Sequence, residues 1–512
     1  MTFARRVLLW LCVLLGTGLA AAEVPTFTVR HIDVQGNTVL SASEVQAVVG
    51  PYQNRPLTLP DLQTLAGQLR QRYESAGWFL VRVQVPTQNV TEGVVRLKVI
   101  EGRIGNLRIQ GNEHYSEAMI RSYLRPVTEE KVARLDTLHR CLLLLRDFQN
   151  LKVESFVEPG QQEGTSDLVL KVTDSLPLEV GLRYDNFGNQ FTGTNRISLT
   201  PRAGNLFGNG ESLLVAAVFP FPAVSSRPFV LSSLKVPVNR DGTQVGFSYA
   251  NGAFIVGGDL SVLDIRGNAQ IYSLFATHAL RRAEHDRSDL FLALTSKSFD
   301  NSILGITTSQ DEVRSVALGY HAEWSGETTR NFLSTSLTQG LGTFAGGTPN
   351  GSPAASRVGA GNSFTRFNVD FAHVSSLGHP FVVLRLAGQG ATSPLVVGEQ
   401  FSLGGPDSVR GYAQSELLGD AGYSVSAELR VPLPEPDSPF QAAAFVDHGR
   451  EWLLEPQFGE RSHRSLTGAG LGFRWAVDER THLRFDLGFP LDPPVNSVRQ
   501  SPKIYGQLET RF

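Results

Sequence analysis

The chain has 512 residues, of which 41% are hydrophobic and 19% charged, and its formal net charge is −3. A charge this close to zero leaves no electrostatic footprint for nucleic acid. Its two cysteines are too few for a disulfide-rich or structural zinc protein. At usual domain sizes the length predicts about three domains.

The N-terminus has the pattern of a secretory signal sequence. Two arginines precede an apolar run over Val7–Leu19, and an Ala-Ala-Ala stretch supplies a cleavage site before Glu23. The apolar run is shorter than the ~20 residues of a comfortable membrane-spanning helix. We therefore expect a signal sequence at residues 1–22 and an exported protein without a helical membrane anchor.

A small module then occurs twice. Each copy opens with an alternating strand and a turn, at Val34–Asn37 in the first copy and at Ile109–Asn112 in the second. Gly36 and Gly111 lie about 75 residues apart, a period that suits one small domain. Helices and two further strands follow in both copies, so the predicted order is strand, helix, helix, strand, strand. A generic pair of α+β domains is one interpretation.

The repeated order, together with VPTQNVTEGVVRLKVIEGRI at residues 85–104, resembles the polypeptide-transport-associated (POTRA) domain. The resemblance implies two POTRA domains, at residues 24–101 and 102–174. A POTRA sheet has an exposed edge whose unpaired N–H and C=O groups can add a strand from an extended partner. Because such contacts run through the main chain, they suit an unfolded polypeptide of almost any sequence.

Beyond the second module the chain reads as long strands of alternating character. Leu178–Asn186 places Leu182 on an apolar face and Asp185 on a charged face, and Tyr423–Leu433 and Thr481–Leu491 alternate in the same way. A soluble sandwich would bury the apolar face, whereas a transmembrane barrel would turn it to lipid. Alternation alone does not distinguish the two.

Three features favour a barrel over residues 175–512. The strands run about ten residues, which is enough to cross a bilayer at a tilt. The protein is predicted to be exported, and the chain ends on the alternating strand KIYGQLETRF with a terminal Phe512. This ending resembles the signal by which bacterial outer-membrane barrels are recognised for assembly. At about 21 residues per strand and connection, the segment holds roughly 16 antiparallel strands, and closure leaves no backbone group unpaired in lipid.

The segment GGPDSVRGY at residues 404–412 places one arginine among glycines. Behind two POTRA-like modules and within a barrel, it resembles the signature loop of POTRA-bearing outer-membrane barrels, whose Val-Arg-Gly-Tyr tip folds back into the lumen. The loop corresponds to residues 392–420. The residues that match the tip are Val409, Arg410, Gly411 and Tyr412. The same superfamily has a Phe-x-Asp-x-Gly pattern on a following strand, matched here by Phe445, Asp447 and Gly449.

These residue types suit a latch rather than a catalyst. The Phe-x-Asp-x-Gly residues share one face of a strand, so Asp447 can point into the lumen. Gly404 and Gly405 permit a tight backbone path, and Arg410 can then reach Asp447 as a bidentate ion pair. Removing one partner would strand a buried charge at a cost of about 3–5 kcal/mol. A solvated loop arginine with an unrelated lumenal aspartate is the alternative.

Two POTRA units and a barrel of this size resemble the two-partner secretion transporters (TpsB), also called the haemolysin secretion/activation family. The resemblance implies an unfolded, haemolysin- or adhesin-like exoprotein that docks on the POTRA edges in the periplasm, threads the barrel and folds outside. It also implies an outer-membrane location, lipid contact and insertion by the barrel assembly machinery, and we expect a monomer.

Many members begin with a plug helix. Because the first strand follows Glu23 closely, we expect no plug and a leaky resting channel.

Two other functions stay open. Outer-membrane protein insertion is performed by sister families that share the loop motif, but these usually have more POTRA domains. A passive porin needs neither POTRA modules nor an Arg410–Asp447 pair. We find no motif for catalysis, cofactor binding or a metal site. His448 lies on the strand face opposite Asp447, which does not favour a catalytic pair. GAGLG at residues 468–472 lies within an alternating strand, which does not favour a nucleotide-binding loop.

Two further expectations concern local structure. The run Thr343–Ser363 is rich in glycine, serine and alanine, which predicts a long, mobile surface loop. Cys141 lies in an apolar run and is expected to be a small core residue.

Overall fold

The computed structural model describes residues 26–90, 92–189, 192–221, 227–256, 258–492 and 501–512. The predicted signal sequence lies outside these residues. The chain divides into two compact units. The first comprises the described parts of Met1–Asn106, Val127–Leu135 and Val157–Leu168, and the second those of Leu107–Pro126, Asp136–Phe156 and Val169–Phe512.

The N-terminal module consists of two helices and two small sheets. Its elements are β1 (Phe27–Val29), β2 (His31–Gln35), α1 (Ala42–Val49), β3 (Arg55–Leu57), α2 (Leu59–Ser75), β4 (Val81–Gln84) and β5 (Val94–Glu101). The main sheet has the order β2-β5-β4, in which β2 runs parallel and β4 antiparallel to β5. The prediction of a single first strand is wrong. The structure has two strands there, β1 and β2, because β1 pairs with β3 instead of joining the main sheet.

Both helices of this module begin with a capping box, Ser41 with Glu44 and Thr58 with Asp61. The apolar face predicted for α2 is buried as expected. Its members are Leu62, Leu65, Leu69 and Tyr73, and they pack in one core with residues of β5. The periodicity of the sequence therefore determines which side of α2 covers the sheet.

The second module has the predicted order of strand, helix, helix, strand and strand, with β6 (Arg103–Gln110), α3 (Glu117–Glu129), α4 (Leu135–Arg146), β7 (Leu151–Pro159) and β8 (Thr165–Asp174). Its sheet has the order β6-β8-β7. Cys141 is 3% exposed in α4, which confirms its assignment to a core. Among the described residues, no helix has both the length and the apolar character needed to span a bilayer.

Sixteen antiparallel strands then close into a barrel in which the last strand pairs with the first, which confirms the predicted architecture. The strands of the wall are β9 (Leu178–Asp185), β10 (Asn195–Gly204), β11 (Ser212–Phe221), β12 (Arg227–Pro237), β13 (Thr243–Ile255), β14 (Arg266–Arg282), β15 (Asp286–Ile303), β16 (Ile306–Ser325), β17 (Thr329–Gly340), β18 (Thr365–Ser376), β19 (Phe381–Ala391), β22 (Ala421–Pro432), β23 (Phe440–Trp452), β24 (His463–Ala476), β25 (His482–Pro490) and β26 (Lys503–Arg511). Two short strands, β20 (Phe401–Leu403) and β21 (Leu417–Gly419), pair with each other between β19 and β22.

The exposure of the strands distinguishes the barrel from a sandwich. Leu182 is 39% exposed whereas Asp185, on the other face of β9, is fully buried. Phe489 is 41% exposed and Asp486 fully buried on β25. The apolar faces therefore point outward and the charged faces inward, as a lipid environment requires.

The two ends of the barrel differ. At the end where β9 begins, the connections are short turns, and two of them contact the second module: Asn205 Nδ2 donates to the His114 carbonyl at 2.9 Å and Arg140 Nη2 to that of Asp241 at 3.0 Å. We call this the inner end. The opposite, outer end has two long connections, residues 341–364 between β17 and β18 (the cap loop) and residues 392–420 between β19 and β22 (the motif loop).

Candidate functional site

The motif loop folds into the barrel and buries its tip. β20 and β21 form its stem, and beyond them the side chains of Val409, Arg410 and Tyr412 are at most 2% exposed. Gly404 and Gly405 have φ values of 102° and 107°, a backbone conformation that side chains with a Cβ rarely adopt. The sequence thus specifies a sharp turn at the place where the loop reverses its direction.

The structure brings Arg410 and Asp447 together. Arg410 Nε donates to Asp447 Oδ2 at 2.7 Å, its Nη2 to Oδ1 at 2.8 Å, and its backbone N–H to Oδ2 at 3.0 Å. This bidentate geometry is the one expected from the motif. The guanidinium carbon also lies 3.3 Å from the ring centroid of Phe445, so the ring covers the ion pair.

Two further acids, which no sequence motif marks, complete the tip cluster of Arg410, Glu428, Asp447 and Asp486. Arg410 Nη1 lies 2.6 Å from Glu428 on β22 and 3.6 Å from Asp486 on β25. All four side chains are at most 3% exposed. The loop thus inserts one cation among three buried carboxylates.

The three acids depend on Arg410 to different degrees. Glu428 also pairs with Arg430 at 2.6 Å and with Arg474 at 3.0 Å. Asp486 also pairs with Arg474 and with a second wall arginine, each at 2.8 Å. Within the described part of the chain, Asp447 accepts hydrogen bonds from Arg410 alone. Withdrawal of the loop would therefore strand Asp447 and leave the other two acids paired.

Glycines of the wall let the loop backbone lie directly on the strands. A Cβ at Gly468 on β24 would overlap the carbonyl oxygen of Arg410, and one at Gly488 on β25 would lie 2.6 Å from the Gly411 nitrogen. A Cβ at Gly449 would overlap the side chain of Leu403. Small residues at these positions of the wall therefore let the tip lie against the strands, because larger side chains would push it away.

A tyrosine on the last strand also holds the tip. The hydroxyl of Tyr505 accepts the Gly411 N–H at 2.9 Å and donates to the Tyr412 carbonyl at 2.6 Å. The hydroxyl of Tyr412 in turn donates to the Thr467 carbonyl at 2.9 Å. Tyr505 could not be found from the sequence, since an inward-facing tyrosine on β26 has no motif to mark it.

The outer end of the motif loop has the opposite charges. Glu399 is 1% exposed and forms ion pairs with Lys297 and Arg366, which extend from β15 and β18. Asp420, fully buried, accepts hydrogen bonds from the backbone N–H groups of Leu395 at 2.9 Å and Leu454 at 2.6 Å. Glu399 therefore binds the motif loop to the wall, and Asp420 binds the last residue of the loop to its first residues and to the connection after β23.

The packing of the cap loop differs from the prediction made for it. It was predicted to be a mobile surface loop, and it is a connection between strands, but its second half packs inward. Ala360 and Phe364 are buried in one cluster with Leu395 and Val396 of the motif loop and with Val313 of β16. Glycine, serine and alanine at these positions permit close packing, which composition alone does not distinguish from disorder.

The charged groups of the site are ion-paired arginines and carboxylates, and His448 lies on the outward face of β23, where its Nδ1 is 2.9 Å from Thr467 Oγ1. Over the ranges that the structure describes, no group of three or more His, Cys, Asp or Glu side chains is arranged to hold a metal ion. The arrangement can hold or release a loop.

Comparison with known families agrees with this architecture. Residues 164–475 match the family described as haemolysin secretion/activation protein ShlB/FhaC/HecB. Residues 27–102 match the POTRA domain of the ShlB type. The first match includes most of the barrel, and the second includes the whole N-terminal module.

Individual relatives are distant but extensive. The chain is 24% identical to the outer membrane transporter CdiB of Escherichia coli, over 96% of this chain and 84% of that protein. It is 21% identical to the heme/hemopexin transporter protein HuxB of Haemophilus influenzae, over 93% of this chain and 85% of the relative. The solved structure of CdiB from Escherichia coli superposes with a TM-score of 0.79 at 22% identity and covers 97% of this chain and 92% of CdiB.

Proposed function

The chain belongs to the haemolysin secretion/activation family ShlB/FhaC/HecB, and from this premise we propose how its barrel exports a polypeptide. The protein is an outer-membrane transporter of two-partner secretion, and its N-terminal POTRA domain lies in the periplasm. Members of the family are transporters rather than enzymes. We propose that the client is one unfolded exoprotein that passes from the POTRA region through the lumen and folds outside, and that the transporter acts as a monomer.

The N-terminal module offers the client an edge strand and a groove. β4 is an edge of its sheet, and within the described residues it pairs only with β5. Beside it lies a groove of about 1050 Å³ lined by Leu59 and Ala66 of α2 and by Val83 and Val85. An extended client can add its main chain to β4 and place alternate apolar side chains in this groove.

The second module shares the local construction of the first, which supports a second POTRA domain. In both, an asparagine after the turn glycine donates its side-chain N–H to a carbonyl three residues on, Asn37 to Leu40 and Asn112 to Tyr115, each at 2.9 Å. An acid at the end of the last strand accepts turn N–H groups in both, Glu101 and Asp174. Burial raises the pKa of Asp174, but three backbone donors outweigh it, so that its pKa is lowered overall.

We further propose that the tip cluster is a latch. The single observation that carries this proposal is the burial of Arg410 among three carboxylates in the lumen. A polypeptide cannot pass the position that the tip occupies unless the tip moves. The loop therefore alternates between the latched position and an open one, and the buried ion pairs set the free-energy difference between them.

Arg410→Ala tests the latch. We expect export of the client to fall strongly while the barrel still inserts, because the wall strands retain all their pairings. Exposed Arg281, which pairs with Asp286 at the inner end, provides the control substitution Arg281→Ala. Client release is measured in the culture medium, and insertion is measured by the heat-modifiable mobility of the barrel on gels. Full export by a correctly inserted Arg410→Ala variant would refute the latch.

We propose that Phe512 is the assembly signal read by the barrel assembly machinery. Its backbone pairs with Val180 in both directions, at 3.2 and 3.0 Å, while its side chain is 69% exposed. The ring thus contributes little to the folded barrel and is accessible to another protein. Phe512→Ala should slow the appearance of heat-modifiable barrel and leave the stability of inserted protein unchanged; equal rates of assembly would count against this role.

Depletion of the protein separates secretion from the two alternative functions. Loss of one protein from the medium, identified by mass spectrometry, is the result expected here. A general loss of outer-membrane barrels would indicate an insertion factor, and a change of permeability alone would indicate a porin.

A further inference from the structure

The cap loop is anchored along the wall before it reaches the motif loop. The backbone N–H of Gln310 donates to the Ala354 carbonyl at 2.7 Å, and that of Ser356 to Asp311 Oδ1 at 2.9 Å. Asn362 is fully buried, and its side-chain amide accepts from the Arg314 N–H at 3.2 Å. These bonds hold the loop against the outer half of β16.

Beyond this anchor, Arg357 connects the cap loop to a part of the rim several strands away. Its Nη1 lies 2.6 Å from Asp420 Oδ1, and its Nη2 donates to the Leu454 carbonyl at 2.6 Å. Leu454 follows β23, and four strands of the wall separate β16 from β23. The cap loop therefore runs across a chord of the outer end instead of following its edge.

The junction is built like the interior of a protein. Arg357 and Asp420 have side-chain exposures of 8% and 0%. The apolar cluster of the two loops adjoins them, and the Val397 N–H donates to Ser356 Oγ at 3.0 Å. A buried ion pair with this many hydrogen bonds is strongly destabilised by loss of one partner.

We propose that Arg357 is a positioning residue that locks the cap loop to the outer end of the motif loop, and that export requires this lock to open. The inference rests on the proposed export function. It adds a second closure, formed by other residues than the tip cluster, at the end of the lumen where the client emerges. Since Asp420 is bound both to Arg357 and to Leu395 at the start of the motif loop, withdrawal of the motif loop and release of the cap are coupled.

The first test uses purified transporter without any client. Arg357→Gln removes the charge and keeps the approximate size of the side chain. Single-channel recording in planar bilayers should show the open fraction rising by roughly tenfold or more, because breaking a buried pair is costly. Arg357→Lys should give an intermediate value, since one ammonium group cannot replace the two-pronged contact with Asp420 and Leu454.

The matched control is Arg266→Gln. Arg266 also lies at the outer end, but its pair with Asp264, at 2.8 Å, is 57% and 38% exposed and holds no loop. Its channel should behave as the unmodified protein does. An inserted Arg357→Gln channel with the open fraction of this control would overturn the proposal.

The second test leaves the ion pair intact. A Ser356→Cys/Val397→Cys double variant places a cysteine in each loop at adjoining positions, and loss of both free thiols on oxidation reports the disulfide between them; Cys141 is buried and does not interfere. We expect export to stop under oxidising conditions and to recover with a reductant. Full export by the oxidised variant would show that the loops need not part.

The two tests also separate this inference from the proposed function. If the unmodified protein exports no client, the export function fails, while the channel recordings still decide the lock. If the unmodified protein exports its client and the oxidised variant does so equally well, only the lock fails.

Discussion

The tip of the motif loop and its outer end are held by opposite charges. At the tip, the loop supplies the cation Arg410 and the wall supplies the acids. At the outer end, the loop supplies the acids Glu399 and Asp420, and the wall and the cap loop supply the cations. A loop displaced along the lumen would bring like charges together, so this inversion specifies one position of the loop.

The ends also differ in redundancy. Glu399 keeps one cation if the other is removed, because Lys297 and Arg366 both reach it. Asp447 has Arg410 alone among the described residues. The tip is therefore the place where a single substitution has the largest effect, and the effect falls as the remaining contacts become more redundant.

Asp447→Asn should have the largest effect. It neutralises the bidentate partner of Arg410, which keeps Glu428 and Asp486, and it weakens three charge-assisted hydrogen bonds that are worth about 1.5–3 kcal/mol each. We expect greater labelling of a Ser408→Cys reporter by a membrane-impermeant maleimide, together with reduced export. Asp370, which lines the same cavity as Arg410, provides the control Asp370→Asn. Equal labelling of the two variants would contradict the ranking.

Gly468→Ala should follow. The new Cβ would overlap the carbonyl oxygen of Arg410, so the tip must shift, at a cost of about 1–3 kcal/mol. The charges are untouched, and any effect reports on the contact between the two backbones. Gly390→Ala is the control, because a Cβ there meets nothing within 4 Å. The reporter at Ser408 should distinguish the two variants, and identical labelling would show that the glycine is dispensable.

Tyr505→Phe should have a smaller effect. It keeps the ring and removes the hydroxyl that binds the Gly411 N–H and the Tyr412 carbonyl, at a cost of about 1–2 kcal/mol. Tyr249, which points to the lipid side with exposed Phe247, provides the control Tyr249→Phe. Labelling at Ser408 should rise for the first variant only, with β26 still paired to β9.

Arg366→Gln at the outer end should have the smallest effect, about 1 kcal/mol, because Lys297 still neutralises Glu399. The double substitution Arg366→Gln/Lys297→Gln should exceed the sum of the single ones, since only then is Glu399 without a cation. Channel recordings measure both. Additive effects would show that the two cations act independently.

Much of the fold could be predicted from patterns of period two. Alternation along β9 and β25 correctly predicted which residues share a face, and signal-like and C-terminal features correctly favoured lipid outside. The division of the first strand into β1 and β2 could not be predicted, because both halves alternate and only the partner strand separates them.

The site was predictable where a motif marks it. Arg410 and Asp447 could be paired because both match motifs of the POTRA-bearing outer-membrane barrels, but Glu428, Asp486 and Tyr505 match no such motif. Each looks like one more inward-facing residue of an alternating strand, and which of them meets the tip depends on the closure of the barrel. The cap loop was misjudged for a related reason: its small residues fit a mobile loop equally well.

By itself, the sequence determined the modules, the inward and outward faces of the strands, and the arginine that enters the lumen. These follow from local properties such as side-chain alternation, turn glycines and helix caps, which act over a few residues. Only the tertiary structure decided which acids surround Arg410 and which loop covers Asp420. Those partners lie on strands and loops far apart in the chain, and closure of the barrel is what brings them within a few ångströms of each other.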